Sequence, residues 1–383
     1  MKPLKILVLS SNNGGGHNTA GRAILEAAGE RNVWGEMLDG LSFDAPWKSK
    51  AVADIHVKGA LYAPELFALG NALAERPPRE HRESLCYRIN ARYAHRVYRY
   101  VSERHVDAVI CTHVFPALAM TEVKRSFSKN FPAFFVATDY SCAPYVNETD
   151  LDGYFIPHPS LRREFVEAHV PYARLFPSGI PVARRFSQHL DRQEARRRLG
   201  LPQEPQAVLV MTGSMGFGDV PGLLLELLQQ LPRETLLLVL GGNNQKLKDT
   251  LRAEFSPCAN IRVLDFTREV ELYMDASDVL ISKPGGLSTT EAAVRGIPLV
   301  HTTPIPGWEE RNVAFFQEHK LSRYGPTPKE AAREAAWLLA HPPEREAMVA
   351  RQRAQIPPDG AERIMTTVIN LCRRQEQEPE KEQ

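Results

Sequence analysis

Ile6-Leu7-Val8-Leu9-Ser10-Ser11-Asn12-Asn13-Gly14-Gly15-Gly16-His17 reads as a buried strand that ends in short polar residues and turns sharply through glycine. The helical pattern Thr19-Ala20-Gly21-Arg22-Ala23-Ile24-Leu25-Glu26-Ala27 follows at once. Glycine permits the tight turn and lets another molecule approach the backbone. The new helix aims unsatisfied N–H groups at the same space. A histidine at this spot takes a proton near neutral pH. The stretch therefore predicts a βα unit whose loop activates an acceptor.

The same alternation continues along the chain and predicts an α/β protein with mainly parallel sheets. The expected strands are Lys5–Leu9, Val33–Leu38, Ala108–Cys111, Ala133–Ala137 and Gly153–Ile156, then Ala207–Met211, Leu236–Leu240, Arg262–Leu264, Val279–Ile281 and Pro298–His301. Each set makes one open sheet. Pro177-Ser178-Gly179-Ile180-Pro181-Val182 has the turn chemistry of a linker between them. The expected division is residues 1–180, residues 181–360, a crossing helix over 361–374 and a disordered tail over 375–383, rich in Gln and Glu. The Arg196-Arg197-Arg198 cluster of the charged helix Gln193–Leu199 reads as a solvated surface.

At 383 residues the chain is too long for one ordinary core. With 43% hydrophobic and 24% charged residues it has the composition of a soluble globular protein. A formal net charge of +1 gives no bulk attraction to nucleic acid. The start Met1-Lys2-Pro3-Leu4-Lys5 has no cleavage region of a signal peptide, and no apolar run is long enough to span a bilayer. The scattered Cys86, Cys111, Cys142, Cys258 and Cys372 argue against a metal cage or disulfide framework and favour a reducing cytoplasm.

Further loops follow strands of the second half. Thr212-Gly213-Ser214-Met215-Gly216-Phe217-Gly218 is either a diphosphate cradle or a plain βα turn. In Ser282-Lys283-Pro284-Gly285-Gly286-Leu287-Ser288-Thr289-Thr290-Glu291, Ser288 and Thr289 open a helix with Glu291 in its first turn. That places a phosphate at the helix start and two ribose hydroxyls on Glu291, or makes Ser288 an N-cap with Glu291 its capping-box partner. Pro304-Ile305-Pro306-Gly307-Trp308-Glu309-Glu310-Arg311-Asn312 is expected to be a loop offering Glu309 and Asn312 to sugar hydroxyls, or to solvent.

Together with Cys111-Thr112-His113-Val114-Phe115 and Ala137-Thr138-Asp139-Tyr140, these segments resemble the GT-B glycosyltransferases of family 28. The likeness is nearest to the diacylglycerol glycosyltransferases, both plant-type monogalactosyldiacylglycerol synthases and bacterial diacylglycerol glucosyltransferases, and runs from Lys5 to about Asn370. It implies two Rossmann-like domains facing a central cleft, a UDP-hexose donor, a diacylglycerol acceptor and inversion at the anomeric carbon. By that resemblance Phe266 and Thr267 line the uracil pocket, largely through backbone, and Glu291 holds the ribose. Gly285, Gly286, Leu287 and Ser288 present N–H groups to the diphosphate, with Ser214 in support. Glu309 and Asn312 touch the hexose, and His17 with Asp139 faces the acceptor hydroxyl beside Gly15 and Gly16. Either His17 or Asp139 is the base, and His113 is an acceptor residue or a structural one. Without a D-x-D stretch after a strand, transfer is expected to need no cofactor and no divalent metal, with helix dipoles holding the departing UDP. The family often carries a Trp beyond the Thr-Asp motif, where Tyr145 is the aromatic candidate, and commonly a Gln where Trp308 stands, which leaves the hexose open.

The segment from Pro46 to Arg104 is longer than a βαβ connection requires. It holds apolar residues from Ile55 to Leu69, then Arg88, Arg92, Arg96 and Arg99 on one helical face beside Leu85, Ile89, Tyr93, Val97 and Tyr100. Eight Arg against three Glu between Arg76 and Arg104 make it locally basic. The pattern suits either an anionic membrane surface or a core stripe with a solvated basic face. The resemblance favours peripheral attachment at the cytoplasmic membrane face. The rival readings are transfer to a polyprenyl-linked or soluble acceptor, a UDP-GlcNAc 2-epimerase, and a non-catalytic UDP-sugar-binding protein.

Overall fold

A computed structural model describes residues 3–12, 15–44, 83–127, 131–213, 216, 218–305 and 307–377. Gly14, Ser214, Met215, the apolar stretch from Ile55 to Leu69 and residues 378–383 lie outside the described residues, as does the Trp308 side chain. The chain divides into two units, 1–184 with 306–308 and 359–383, and 185–305 with 309–358.

The first unit runs β1 (Lys5–Ser10), α1 (Gly15–Gly29), β2 (Trp34–Asp39), α2 (Leu85–Ala91), α3 (Ala94–Arg104), β3 (Ala108–Cys111), α4 (Val114–Ser126), β4 (Ala133–Val136), β5 (Gly153–Ile156), α5 (Arg162–Glu167) and β6 (Leu175–Pro177). The second runs α6 (Arg192–Arg198), β7 (Ala207–Met211), α7 (Val220–Gln230), β8 (Leu236–Leu240), α8 (Gln245–Glu254), β9 (Ile261–Leu264), α9 (Val270–Asp275), β10 (Val279–Ser282), α10 (Gly286–Arg295), β11 (Leu299–His301), α11 (Trp308–Glu318), β12 (Arg323–Tyr324), α12 (Pro328–Ala340) and α13 (Pro342–Gln355). The last helix, α14 (Gly360–Gln377), packs on α1 of the first unit.

Each unit holds one parallel six-stranded sheet, ordered β2-β1-β3-β4-β5-β6 and β12-β11-β10-β7-β8-β9. Continuous apolar strands suit a parallel sheet because both faces are covered. In β1, Leu7 and Leu9 join a core with Val97, Val101, Leu118 and Met120. Ile6 and Val8 join another with Ala23, Ile24, Ala27, Ile364, Met365 and Val368. In the second unit, Val208, Val210, Val279 and Ile281 pack against Leu223, Leu224, Leu227 and Ala335.

The strand orders mark one candidate crevice in each unit. The first sheet grows from β1 to β2, then the chain returns to place β3 on the other side of β1, Leu9 opposite Cys111. The second grows from β7 through β8 to β9, then returns to place β10 beside β7, Ser282 opposite Met211. Each reversal opens a crevice at the strands' carboxyl ends, where open α/β sheets bind ligands.

Several local expectations are corrected. Pro177 closes the edge strand β6 rather than opening the linker. The basic segment breaks at Arg92–Tyr93 into α2 and α3, so its arginines share no single helix. Tyr93 and Val97 are core residues, whereas Leu85 is 70% exposed and Ile89 40%. Arg196 is fully buried, because the carbonyls of Ala276, Pro202, Gln203 and Pro205 accept from its guanidinium. The final helix reaches Gln377, three residues into the segment expected to be disordered.

Candidate active site

The first crevice is built from the ends of β1, β3 and β4. Asn12 leaves β1 and donates to Asp39 Oδ2 at the end of β2, 2.6 Å away, while Asn18 donates to Asn12 Oδ1 at 2.8 Å. These contacts fix the path from strand to helix. Helix α1 starts at Gly15, which makes His17 its third residue.

His17 is partly buried, and its Nδ1 meets two oxygens. The Nδ1–H donates to the Thr112 carbonyl oxygen at 2.9 Å and lies 2.9 Å from Thr138 Oγ1. A carbonyl oxygen only accepts, so the proton sits on Nδ1 and the lone pair on Nε2. Burial pushes the His17 pKa below its ordinary value, while the Asp139 charge and the Thr112 carbonyl pull it back up. The neutral ring with a free-electron-pair nitrogen is the form a general base needs.

His113 stands next to it, with ring centroids 4.6 Å apart and planes at 87°. It is the N-cap of α4, and its Nδ1 accepts from the Phe115 N–H at 3.1 Å. That leaves the proton of the neutral ring on Nε2, opposite to the His17 pattern. Tyr145 has φ of 66°, a left-handed conformation unusual for a bulky residue, just before the short turn Val146–Glu148. Glu148 Oε2 accepts from the Ser84 N–H at 2.8 Å and so ties this turn to the start of α2. Arg88 and Arg92 are exposed. Arg96 is also exposed but donates to the Asp44 carbonyl oxygen at 2.6 Å.

In the second crevice α10 begins at Gly286 with Gly285 as N-cap, so Ser288 caps nothing and Glu291 sits in the second turn. Gly286, Leu287 and Ser288 therefore head the helix with their N–H groups. Glu291 is 8% exposed, and burial raises its pKa to about 8, with Arg185 lowering and Glu271 raising it further. The expected loop around Glu309 is instead the start of α11. Asn312 is buried and donates to the Pro284 carbonyl at 2.8 Å. Glu309 accepts from the Ile305 N–H at 2.8 Å and pairs with Lys283. Glu309 and Asn312 thus reach the β10–α10 loop. Phe266 and Thr267 lie after β9, with β7 and β8 between them and β10. Phe266 is 61% exposed. Lys283 was not singled out by sequence, because a single lysine just after a strand carries no spacing signal.

Comparison with known proteins bears on both halves. Residues 17–182 match the family model for monogalactosyldiacylglycerol (MGDG) synthase, and residues 191–355 the one for glycosyl transferases group 1. The processive diacylglycerol beta-glucosyltransferase of Staphylococcus haemolyticus is 26% identical over 275 residues, 72% of this chain and 70% of that protein. Its counterpart in Staphylococcus carnosus is 29% identical over 228 residues, 59% of this chain and 57% of that protein. Among solved structures, MurG of Acinetobacter baumannii has a TM-score of 0.62 at 15% identity, covering 97% of this chain and 100% of that one. The UDP-GlcNAc 2-epimerase of Neisseria meningitidis bound to UDP-GlcNAc gives 0.60 at 12% identity, covering 96% and 100%. The chain thus has the two-domain GT-B fold, its first half similar to monogalactosyldiacylglycerol synthases and its second half to group 1 glycosyl transferases.

Proposed function

We propose that this protein moves a hexose from a UDP-sugar to the hydroxyl of diacylglycerol, with inversion. The observation that carries this reading is the Thr112 carbonyl 2.9 Å from His17 Nδ1, in the half that matches the MGDG synthase family. It leaves His17 Nε2 as the proton acceptor. The acceptor oxygen attacks the anomeric carbon and gives its proton to Nε2, while the bond from that carbon to the β-phosphate oxygen breaks and UDP leaves with the electron pair. Attack opposite an α-linked UDP yields a β product, in keeping with the beta-glucosyltransferase name of the relatives.

Asp139 raises the proton affinity of His17 by its charge, and we give it that electrostatic part beside His17 as the base. On the donor side, the N–H groups of Gly286, Leu287 and Ser288 receive the diphosphate, Glu291 the ribose, and Glu309 and Asn312 the hexose. Phe266 offers an exposed ring to the uracil. Backbone N–H groups at a helix start hold a departing anion without a divalent metal, so we propose metal-independent transfer. Exposed Leu85 and Ile89 beside Arg88 and Arg92 support docking on an anionic membrane; we propose its cytoplasmic face. Among the described residues no helix is long and apolar enough to cross a membrane.

The test is UDP release from UDP-glucose, UDP-galactose and UDP-GlcNAc, with and without diacylglycerol in anionic vesicles, chelator present. Release that needs one donor and diacylglycerol, and survives chelation, is the expected result. Epimerised donor formed without lipid would move the assignment to a UDP-GlcNAc 2-epimerase. Release that needs another acceptor would replace diacylglycerol.

A further inference from the structure

Lys283 is the first residue after β10, and its side chain is 20% exposed. Its Cε lies 2.7 Å from where a Cβ on Gly213 would stand, and its Nζ 3.1 Å from where one on Gly285 would stand. Gly213 also has φ of 74°, which an L side chain resists. The side chain therefore passes Gly213 with its methylenes and brings its ammonium to Gly285, at the point where β7 and β10 lie side by side.

Its partner is Glu309, whose side chain is 9% exposed. Glu309 Oε1 takes the ammonium, and Oε2 takes the Ile305 N–H at 2.8 Å. With both oxygens engaged, this carboxylate has little to offer a sugar hydroxyl. A diphosphate entering the crevice meets the Glu309 negative charge unless the cation lies between them. A diphosphate also presents more negative charge to the ammonium than one carboxylate does.

We propose that Lys283 is a diphosphate-binding catalytic residue, held by Glu309 until the donor arrives and exchanged on binding. The ammonium passes to the diphosphate, and the freed Oε1 accepts from a hexose hydroxyl. As the anomeric carbon bonds to the acceptor oxygen, its bond to the β-phosphate oxygen breaks. The electron pair stays on that oxygen, where Nζ stabilises it. The exchange links recognition of the sugar to placement of the leaving-group charge. It rests on the reading of the second unit as the UDP-sugar site.

The test is calorimetric titration of the full chain with uridine, UDP and the UDP-hexose. Lys283→Met with Glu309→Gln removes both charges together, which avoids leaving one of them buried alone. This double variant is expected to bind uridine as the wild type does, and UDP roughly 10- to 100-fold more weakly. Glu309→Gln alone frees Lys283, so it is expected to bind UDP more tightly than the wild type while losing the affinity that the hexose adds. Unchanged UDP affinity in the double variant overturns the proposal, as does an equal loss for uridine, which marks a structural role. A wild type that binds neither uridine nor UDP overturns the donor-site reading itself, and the exchange with it.

Discussion

The His17 Nδ1–H donates to the Thr112 carbonyl oxygen at 2.9 Å, and this bond joins the first turn of α1 to the end of β3 across the reversal of the first sheet. A backbone acceptor here sets the tautomer as a carboxylate does in a catalytic triad. Burial lowers the pKa of the ring, so its neutral form persists to more acidic pH than that of a free imidazole. The acid limb of turnover is expected below the ordinary histidine range, as the ring protonates. His17→Ala should lower kcat by roughly 10²- to 10⁴-fold while UDP affinity is kept. A variant with wild-type turnover removes His17 from the chemistry.

Glu291 gives a second pH dependence, with the opposite limb. Its ordinary pKa is 4.5, and burial raises it to about 8 in the folded chain. Between those values the folded state binds the proton more strongly than the unfolded state does. Stability from this group is therefore fully present below pH 4.5 and is lost as pH rises to about 8. The slope approaches about 1.4 kcal/mol per pH unit within the window. Urea unfolding from pH 5 to 9 should show this decline in the wild type and a flatter course in Glu291→Gln. Ribose hydroxyls donate, so they favour the ionised carboxylate, and UDP affinity should rise with pH over the same window. Equal slopes in wild type and variant would contradict both statements.

The sheets and their loops were legible because parallel strands buried on both faces write themselves as apolar runs, such as Val208-Leu209-Val210-Met211, each ending in glycine and polar residues. The short edge strands β6 and β12 were not, because Leu175–Pro177 and Arg323–Tyr324 are too brief for any periodicity. The start of α10 was misplaced since Ser288 and Glu291 have capping-box spacing, whereas Gly285 occupies the cap and Glu291 is buried. His17, Thr112 and Thr138 lie in three segments, and only the order of β1, β3 and β4 brings them together. Arg196 looked like its exposed neighbours, yet the loop after its helix folds the carbonyls of Pro202, Gln203 and Pro205 onto it and Ala276 adds one from far along the chain.

Arg295 supplies a stability prediction. Its side chain is 2% exposed, it pairs with Asp275, and it donates to the carbonyls of Arg185 and Gln188. Arg295→Ala leaves the Asp275 charge buried without its partner and strips those carbonyls of their donor. Removing one member of such a pair costs about 3–5 kcal/mol. Arg295→Lys should recover only part, because an ammonium cannot reproduce the planar fork. Denaturant midpoints order the three proteins, and an alanine variant within 1 kcal/mol of wild type (on the order of a surface substitution) would refute the assignment.

The exposed surface of α2 gives the prediction for membrane contact. Leu85 at 70% and Ile89 at 40% exposure lie one turn apart, with Arg88 and Arg92 exposed beside them. Neither apolar side chain belongs to the core cluster, whereas Tyr87 of the same helix does. Replacing both with glutamate therefore leaves the packed face intact and puts two negative charges where anionic headgroups would sit. Each arginine near such a surface contributes about 1 kcal/mol. Arg88→Glu with Arg92→Glu should therefore weaken sedimentation with phosphatidylglycerol vesicles by more than about 10-fold, with the thermal midpoint unchanged. The Leu85→Glu, Ile89→Glu pair should reduce vesicle binding even at high salt, since its apolar contribution is not screened. If both double variants sediment as the wild type does, α2 is a solvated face, and the acceptor lipid is reached through another part of the chain.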